Sequence, residues 1–346
     1  MEKIDLQKNS NNLGIEVLRF LLCLWIVFIH CSIIKGKYKK FLLRSFHVPT
    51  FILISFYFYY KIASKRDINK IISRFQRLII PYILWSIIFF IINNLLFATF
   101  SFGIFIYPQM DELTLKDIYL QLLIGARYHL IFWFQFNLIF LSLIVSIISF
   151  IAKNHFLKAL IFLGVFSFYL NVSKINFNFF IDYKAIISKN LGSLIELMPI
   201  SILGCIWGSL DLFFKLNSCS TFFNFLKIFI IYIIFRYDIF IEQPGFRYPN
   251  VSMNLLASII LFISFISLPF QDIKNKKLLF MIKIITNFTG GIYYIHPRVR
   301  DFLRNVSFYF YKRTSFGSFI IYILCYFICF IGNKIFKNYK IKYLFK

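Results

Sequence analysis

The sequence predicts an all-α fold, a polytopic membrane protein with about ten transmembrane helices in one bundle. Three observations carry that prediction. Of the 346 residues, 60% are hydrophobic and only 15% charged, whereas a soluble domain is nearer half apolar and about a quarter charged. Apolar runs of about 20 residues, the length that crosses a bilayer as a helix, recur along the whole chain. The basic residues behind a formal net charge of +25 fall mostly in short stretches between those runs. No linker or polar block is long enough for a second soluble domain, so 1–346 reads as a single integral-membrane domain.

The runs follow in order. The first, Gly14 to Ile34, is longer than a signal-peptide core and lacks a small-residue cleavage pattern, so it is expected to be a retained helix. The next are 46–63, where Pro49 suits a first helical turn, then 78–98, 129–152, 156–171 and 191–213. The last four are 222–237, 252–270, 278–296 and 315–333. The fifth and seventh are short, which widens the expected count to roughly nine to eleven spans. Between the third and fourth, an amphipathic stretch from Leu115 to Leu123 reads as an interfacial helix. Near the end, Gly290-Gly291 permits close helix approach, and Pro297 is expected to end or kink the ninth run.

With ten spans both termini share one side, and that side carries the larger share of Lys and Arg, which favours cytoplasmic termini. The cationic loops suit membrane lipid and an anionic ligand. No compact basic domain or nucleic-acid motif stands apart from the spans. Six cysteines are present, most inside apolar runs and none at metal-ligand spacing with His. They read as free thiols, Cys325 and Cys329 as packing residues on one helix face. Phe, Ile, Lys and Asn are so abundant that single residues of these types carry little information.

The first run holds three residues foreign to lipid: Glu16, Arg19 and His30. Eleven positions separate Arg19 from His30, which places them within roughly 20° around a helix and about 16 Å apart along it. Glu16 lies one turn before Arg19 on the same stripe. Ionisable groups inside a span usually face the protein interior or water and mark function. Alternatively, Glu16 and Arg19 pair and snorkel at the helix end; that does not cover His30, whose imidazole suits proton transfer near neutral pH. Arg74 and Arg77, three apart on one helix face within the densest basic cluster, offer guanidinium forks for phosphate and equally fit membrane anchoring. His47, Trp133, Tyr294 and His296 sit at span ends where they either face a cavity or form an interfacial belt. There is no glycine-rich phosphate loop, no Gly-x-Ser-x-Gly elbow and no metal site, so any chemistry must come from His with carboxylate or arginine support.

Taken together, these segments resemble the acyltransferase family 3 of integral-membrane O-acyltransferases. The matching stretches are Gly14-Ile-Glu-Val-Leu-Arg19 followed by ten residues and His30, Phe46-His47-Val-Pro49-Thr-Phe51 ending at Ser55, and Arg74-x-x-Arg77 leading into Pro81-Tyr82. His129 to Phe134, Leu197-Met-Pro199 to Gly204, and Tyr294-Ile-His296-Pro297 complete the set in the family's order. The resemblance implies a ten-helix bundle that moves an acyl group, usually acetyl, from cytoplasmic acyl-CoA to a hydroxyl of a cell-surface or lipid-linked glycan. His30 would match the family's essential histidine, with Arg19 as its arginine partner and Glu16 beside it. Arg74 and Arg77 would match the pair associated with acyl-CoA. His47, Ser55, Trp133, Tyr294 and His296 become substrate-site candidates. Acetyl-CoA is then a donor substrate, with no permanently bound cofactor, no metal and no nucleic acid. The setting is a multi-pass protein of a bacterial inner membrane, and a homo-oligomer is left open. In span two the family usually has Ser-Gly-aromatic where this chain has Ser55-Phe56-Tyr57, so a narrower pocket or altered helix packing is expected. The alternative from another class is a polysaccharide polymerase or lipid-linked glycan flippase; those usually rely on a large outer loop or a charged central cavity, and this chain has no very large loop.

Overall fold

The structure, a computed structural model, describes residues 13–31, 47–100, 132–172, 184–214, 258–263, 265, 276–306 and 315–336, and it contains helices and turns but no strand among them. In chain order the helices are α1 (Leu13–Cys31), α2 (His47–Ala63), α3 (Ile68–Phe100), α4 (Phe132–Ile151) and α5 (Phe156–Val172). They continue with α6 (Lys184–Phe214), α7 (Lys276–Thr286), α8 (Thr289–Val306) and α9 (Ser315–Ile335). Among the described residues three stretches, Ile68–Ile88, Trp133–Ile151 and Gly317–Ile335, are long and apolar enough to cross a membrane, and Phe156–Leu170 and Leu194–Leu210 are shorter apolar helices. The count of ten extends beyond the described residues. So do the interfacial stretch Leu115 to Leu123, the seventh run and His129.

Contacts fix the relative directions of the helices. The Sγ of Cys23 donates to the Thr289 carbonyl, and His30 lies beside His296, so α1 and α8 run parallel. Phe51 meets Phe134 and the Tyr59 hydroxyl bonds Ser146, making α2 and α4 parallel. On α3, by contrast, Arg74 bonds Ser142 and the Leu78 carbonyl accepts from Gln135, an antiparallel pair with α4. Two apolar clusters result. One joins α2, α4, α6 and the start of α1; the other joins the rest of α1 with α3, α8 and α9. Cys23, Cys205, Cys325 and Cys329 are buried thiols in no disulfide, and the last two pack in the second cluster.

The closest approach in the bundle is α2 against α6. A Cβ placed at Gly204 would stand 2.5 Å from the Leu53 carbonyl oxygen and 3.1 Å from the Cβ of Phe56, and one at Gly208 would stand 2.6 Å from the Tyr57 oxygen. Small residues four apart let two backbones touch, the packing available to helices that gain little from burying apolar groups away from lipid. Phe56 is wholly buried, and its Cβ is the side-chain atom nearest the Gly204 Cβ site on α6.

Two boundaries differ from the sequence expectation. The helix carrying the third run begins at Ile68, ten residues before the apolar stretch. Asp67 caps it by accepting the Lys70 N–H at 3.1 Å, after a left-handed turn at Arg66 (φ 52°). The side chain and amide of Lys70 hold that carboxyl below its usual range, so the cap stays ionised at neutral pH. The ninth run is not one helix closed by Pro297. It breaks at Asn287–Phe288, where the Asn287 N–H turns back to the Ile284 carbonyl at 3.3 Å, and then continues as α8 past Pro297 to Val306. Proline removes one N–H and frees one carbonyl, which neighbouring side chains in a bundle can satisfy.

Candidate active site

α1 presents one polar stripe to the interior. Ile15, Leu18, Leu22, Ile26 and Val27 are buried, while Arg19 and His30 keep accessible side chains. Ionisable residues of a spanning helix are tolerated where they face protein or water rather than lipid. Glu16, half-buried one turn earlier, acts electrostatically on Arg19, but no ion pair joins them and Arg19 has no hydrogen bond to any described residue.

Arg77 of α3 lies within electrostatic reach of both Arg19 and Arg74. The fold thus gathers three guanidinium groups from two helices, and among the described residues no carboxylate is ion-paired with any of them. The two α3 arginines have different surroundings. Arg74 donates from Nε and a terminal nitrogen to Ser142 Oγ (3.2 and 3.1 Å) and to Ser55 Oγ (2.9 Å). Its guanidinium also stands 4.1 Å from the ring centre of Tyr59 and 5.6 Å from that of Phe56. Arg77 is exposed, and its Nε donates only to the Ser73 carbonyl of its own helix, at 3.3 Å. Arg74 is built into the bundle by hydroxyls and ring faces; Arg77 keeps the free end of its fork.

Roughly 16 Å along α1, the His30 ring lies 5.4 Å from that of His296, tilted by 41°. His296 is fully buried, with Nδ1 3.2 Å from the Ile292 carbonyl and Nε2 without a partner. One turn further on, Arg300 donates to the His30 carbonyl at 3.2 Å. A train of ring contacts extends from His296 through Tyr293 (6.2 Å) and Phe134 (5.6 Å) to Phe51 (6.2 Å). Trp133 flanks that train through Phe134, and Tyr294, buried, flanks it through Tyr293. His47 is half-buried at the start of α2, and Ser55 is held by Arg74.

Sequence reasoning therefore grouped His30 with Arg19, and Arg74 with Arg77. It did not find Arg300, Ser142 and Tyr59, nor the Gly204–Gly208 contact. Signals for some were present: Ser142, Ser146 and Ser149 recur at helical spacing in an apolar run, and Gly204-x-x-x-Gly208 is a small-residue packing pattern. Among the described residues no three or more His, Cys, Asp and Glu converge as a metal site.

Helices of membrane-spanning length, with Arg19, Arg74 and Arg77 near one another and His30 beside His296 further along α1, define an integral-membrane protein. The family fits that class. The chain belongs to the acyltransferase 3 family: the profile of the acyltransferase domain matches residues 12–334, nearly the whole chain. The protein is a membrane acyltransferase. No curated protein sequence and no solved structure matches it.

Proposed function

We propose that this acyltransferase takes an acyl group, acetyl in the first instance, from acyl-CoA on the cytoplasmic side and places it on a hydroxyl of a cell-surface or lipid-linked glycan. The observation that supports this reading most is the arginine cluster. Among the described residues Arg19 has no ion-pair partner, and Arg77 shares its surroundings, at one end of a stripe whose other end is His30. A donor whose phosphates and reactive carbonyl are separated by a long flexible arm fits such a division. Arg77 and Arg19 take phosphate charge, while Arg74, tied to Ser55 and Ser142, holds the wall against which the donor lies.

In this mechanism His30 is the general base. Its ring nitrogen takes the proton of the acceptor hydroxyl as that oxygen forms a bond to the thioester carbon. The tetrahedral oxyanion collapses, the carbon–sulfur bond breaks, and the departing thiolate takes the proton back from His30. An ester and free CoA thiol leave, and the histidine returns to its starting state. The family membership favours acyl transfer over the polymerase or flippase alternative.

The test is transfer of radiolabelled acetyl from acetyl-CoA to glycan by membranes with and without the protein, with the glycan's O-acetyl signals followed by NMR. Label and new O-acetyl signals that depend on the protein support the reading. Thioester consumption without glycan labelling redirects the acceptor, and altered glycan length or export without acetyl transfer contradicts it.

A further inference from the structure

The His30–His296 contact and the Arg300–His30 contact come from one face of α8, since His296 and Arg300 are one turn apart. They bear on the same residue in two ways. Arg300 holds the His30 backbone carbonyl near the end of α1, where an unpaired carbonyl seeks a donor. His296 stands beside the ring.

The chemistry of His296 is set by its own helix. Pro297 has no N–H, so the Tyr293 carbonyl loses its ordinary helical donor. The His296 ring lies against this turn, with Nδ1 3.2 Å from the Ile292 carbonyl and within reach of the Tyr293 backbone. A nitrogen between carbonyl oxygens must carry the hydrogen, because two acceptors cannot bond each other. Nε2 is then the lone-pair nitrogen. It is buried, has no hydrogen-bond partner and belongs to the ring next to His30. A buried acceptor left unpaired is costly, which marks it as waiting for a donor.

We propose that His296 is the positioning residue of His30: its Nε2 accepts a hydrogen bond from one ring nitrogen of His30 and so leaves the other ring nitrogen, bare, as the base. The pairing rests on the acyl-transfer reading for its use, though its geometry does not. Small torsional adjustment of the accessible His30 ring closes the bond, as happens when catalytic hydrogen bonds tighten on substrate binding. The role matches that of the carboxylate behind the histidine of a hydrolytic triad, here filled by a neutral imidazole whose tautomer a proline-freed carbonyl helps to fix.

Two amide replacements test this, because each mimics a different imidazole nitrogen. His296→Asn keeps a donor near Nδ1, so the backbone bond is retained, and removes the acceptor near His30. His296→Gln places an amide oxygen near the Nε2 position. With both variants inserted at wild-type level, kcat is expected to fall about 10²-fold in His296→Asn and within about 10-fold in His296→Gln, with the KM for acetyl-CoA unchanged in both. A role in holding α8 together predicts the reverse order, and that order overturns the proposal. The rate at which diethyl pyrocarbonate modifies His30 provides a second readout that needs no acceptor glycan. It should drop in His296→Asn and recover in His296→Gln; equal rates in wild type and His296→Asn overturn the pairing even if acetyl transfer itself is not observed. Loss of labelling in wild type, by contrast, is a failure of the acyl-transfer reading alone.

Discussion

Arg74 and Arg77 are three residues apart, yet their side chains meet different chemistry. Arg74 is enclosed by Ser55, Ser142 and two aromatic faces, and removing it leaves hydroxyls and rings arranged around nothing. Arg74→Ala is therefore expected to lower the Tm of the purified protein, and Arg74→Lys should not restore it, because an ammonium cannot serve two serines in the plane of a fork. Arg77→Ala should leave Tm unchanged and raise the KM for acyl-CoA about tenfold or more, with kcat little affected; a kcat-only effect would remove Arg77 from donor binding. This difference was not legible in the sequence. The spacing of the arginines showed a shared helix face, but their partners Ser142 and Tyr59 lie on other helices. The place of His30 on one stripe with Arg19 was legible from their eleven-residue spacing. His296 was legible only as a candidate, since its meaning depends on contact with a residue far away in the chain.

Among the elements, the α2–α6 contact is the one most sensitive to a single atom. The Gly204 Cβ site lies 2.5 Å from a backbone oxygen, which cannot swing aside as a side chain can. Gly204→Ala should force the helices apart and destabilise the fold by about 1–3 kcal/mol, read as a drop in Tm; an unchanged Tm would mean that α2 and α6 do not pack so closely. Among the described residues the apolar runs are helical, the ninth with a break at Asn287–Phe288. Helix ends were not legible in the sequence, because they depend on details shorter than a run: the Asp67 cap extends α3 back through both arginines, and the turn at Asn287 detaches α7 from α8. Pro297 misled for a physical reason. Inside a bundle a proline's freed carbonyl can be satisfied by a neighbouring side chain, and here the adjacent histidine ring lies against it.

At the scale of the whole molecule, helix directions carry the topology. α1 parallels α8, α2 parallels α4, and α3 opposes α4. These directions bring the end of α1 to the part of α8 that holds His296. The proposed orientation, both termini on the cytoplasmic side with Arg19 toward the donor and His30 deeper in the membrane, predicts that reporter fusions at the N-terminus and at the C-terminus both report cytoplasm; opposite sides would require an odd number of spans. The most direct test of this account is labelled acetyl transfer by His30→Ala protein inserted and thermally stable at wild-type level. The account predicts binding of acetyl-CoA with a KM or Kd near wild type and a loss of transfer of at least about 10²-fold; wild-type labelling of the glycan by that variant would contradict it.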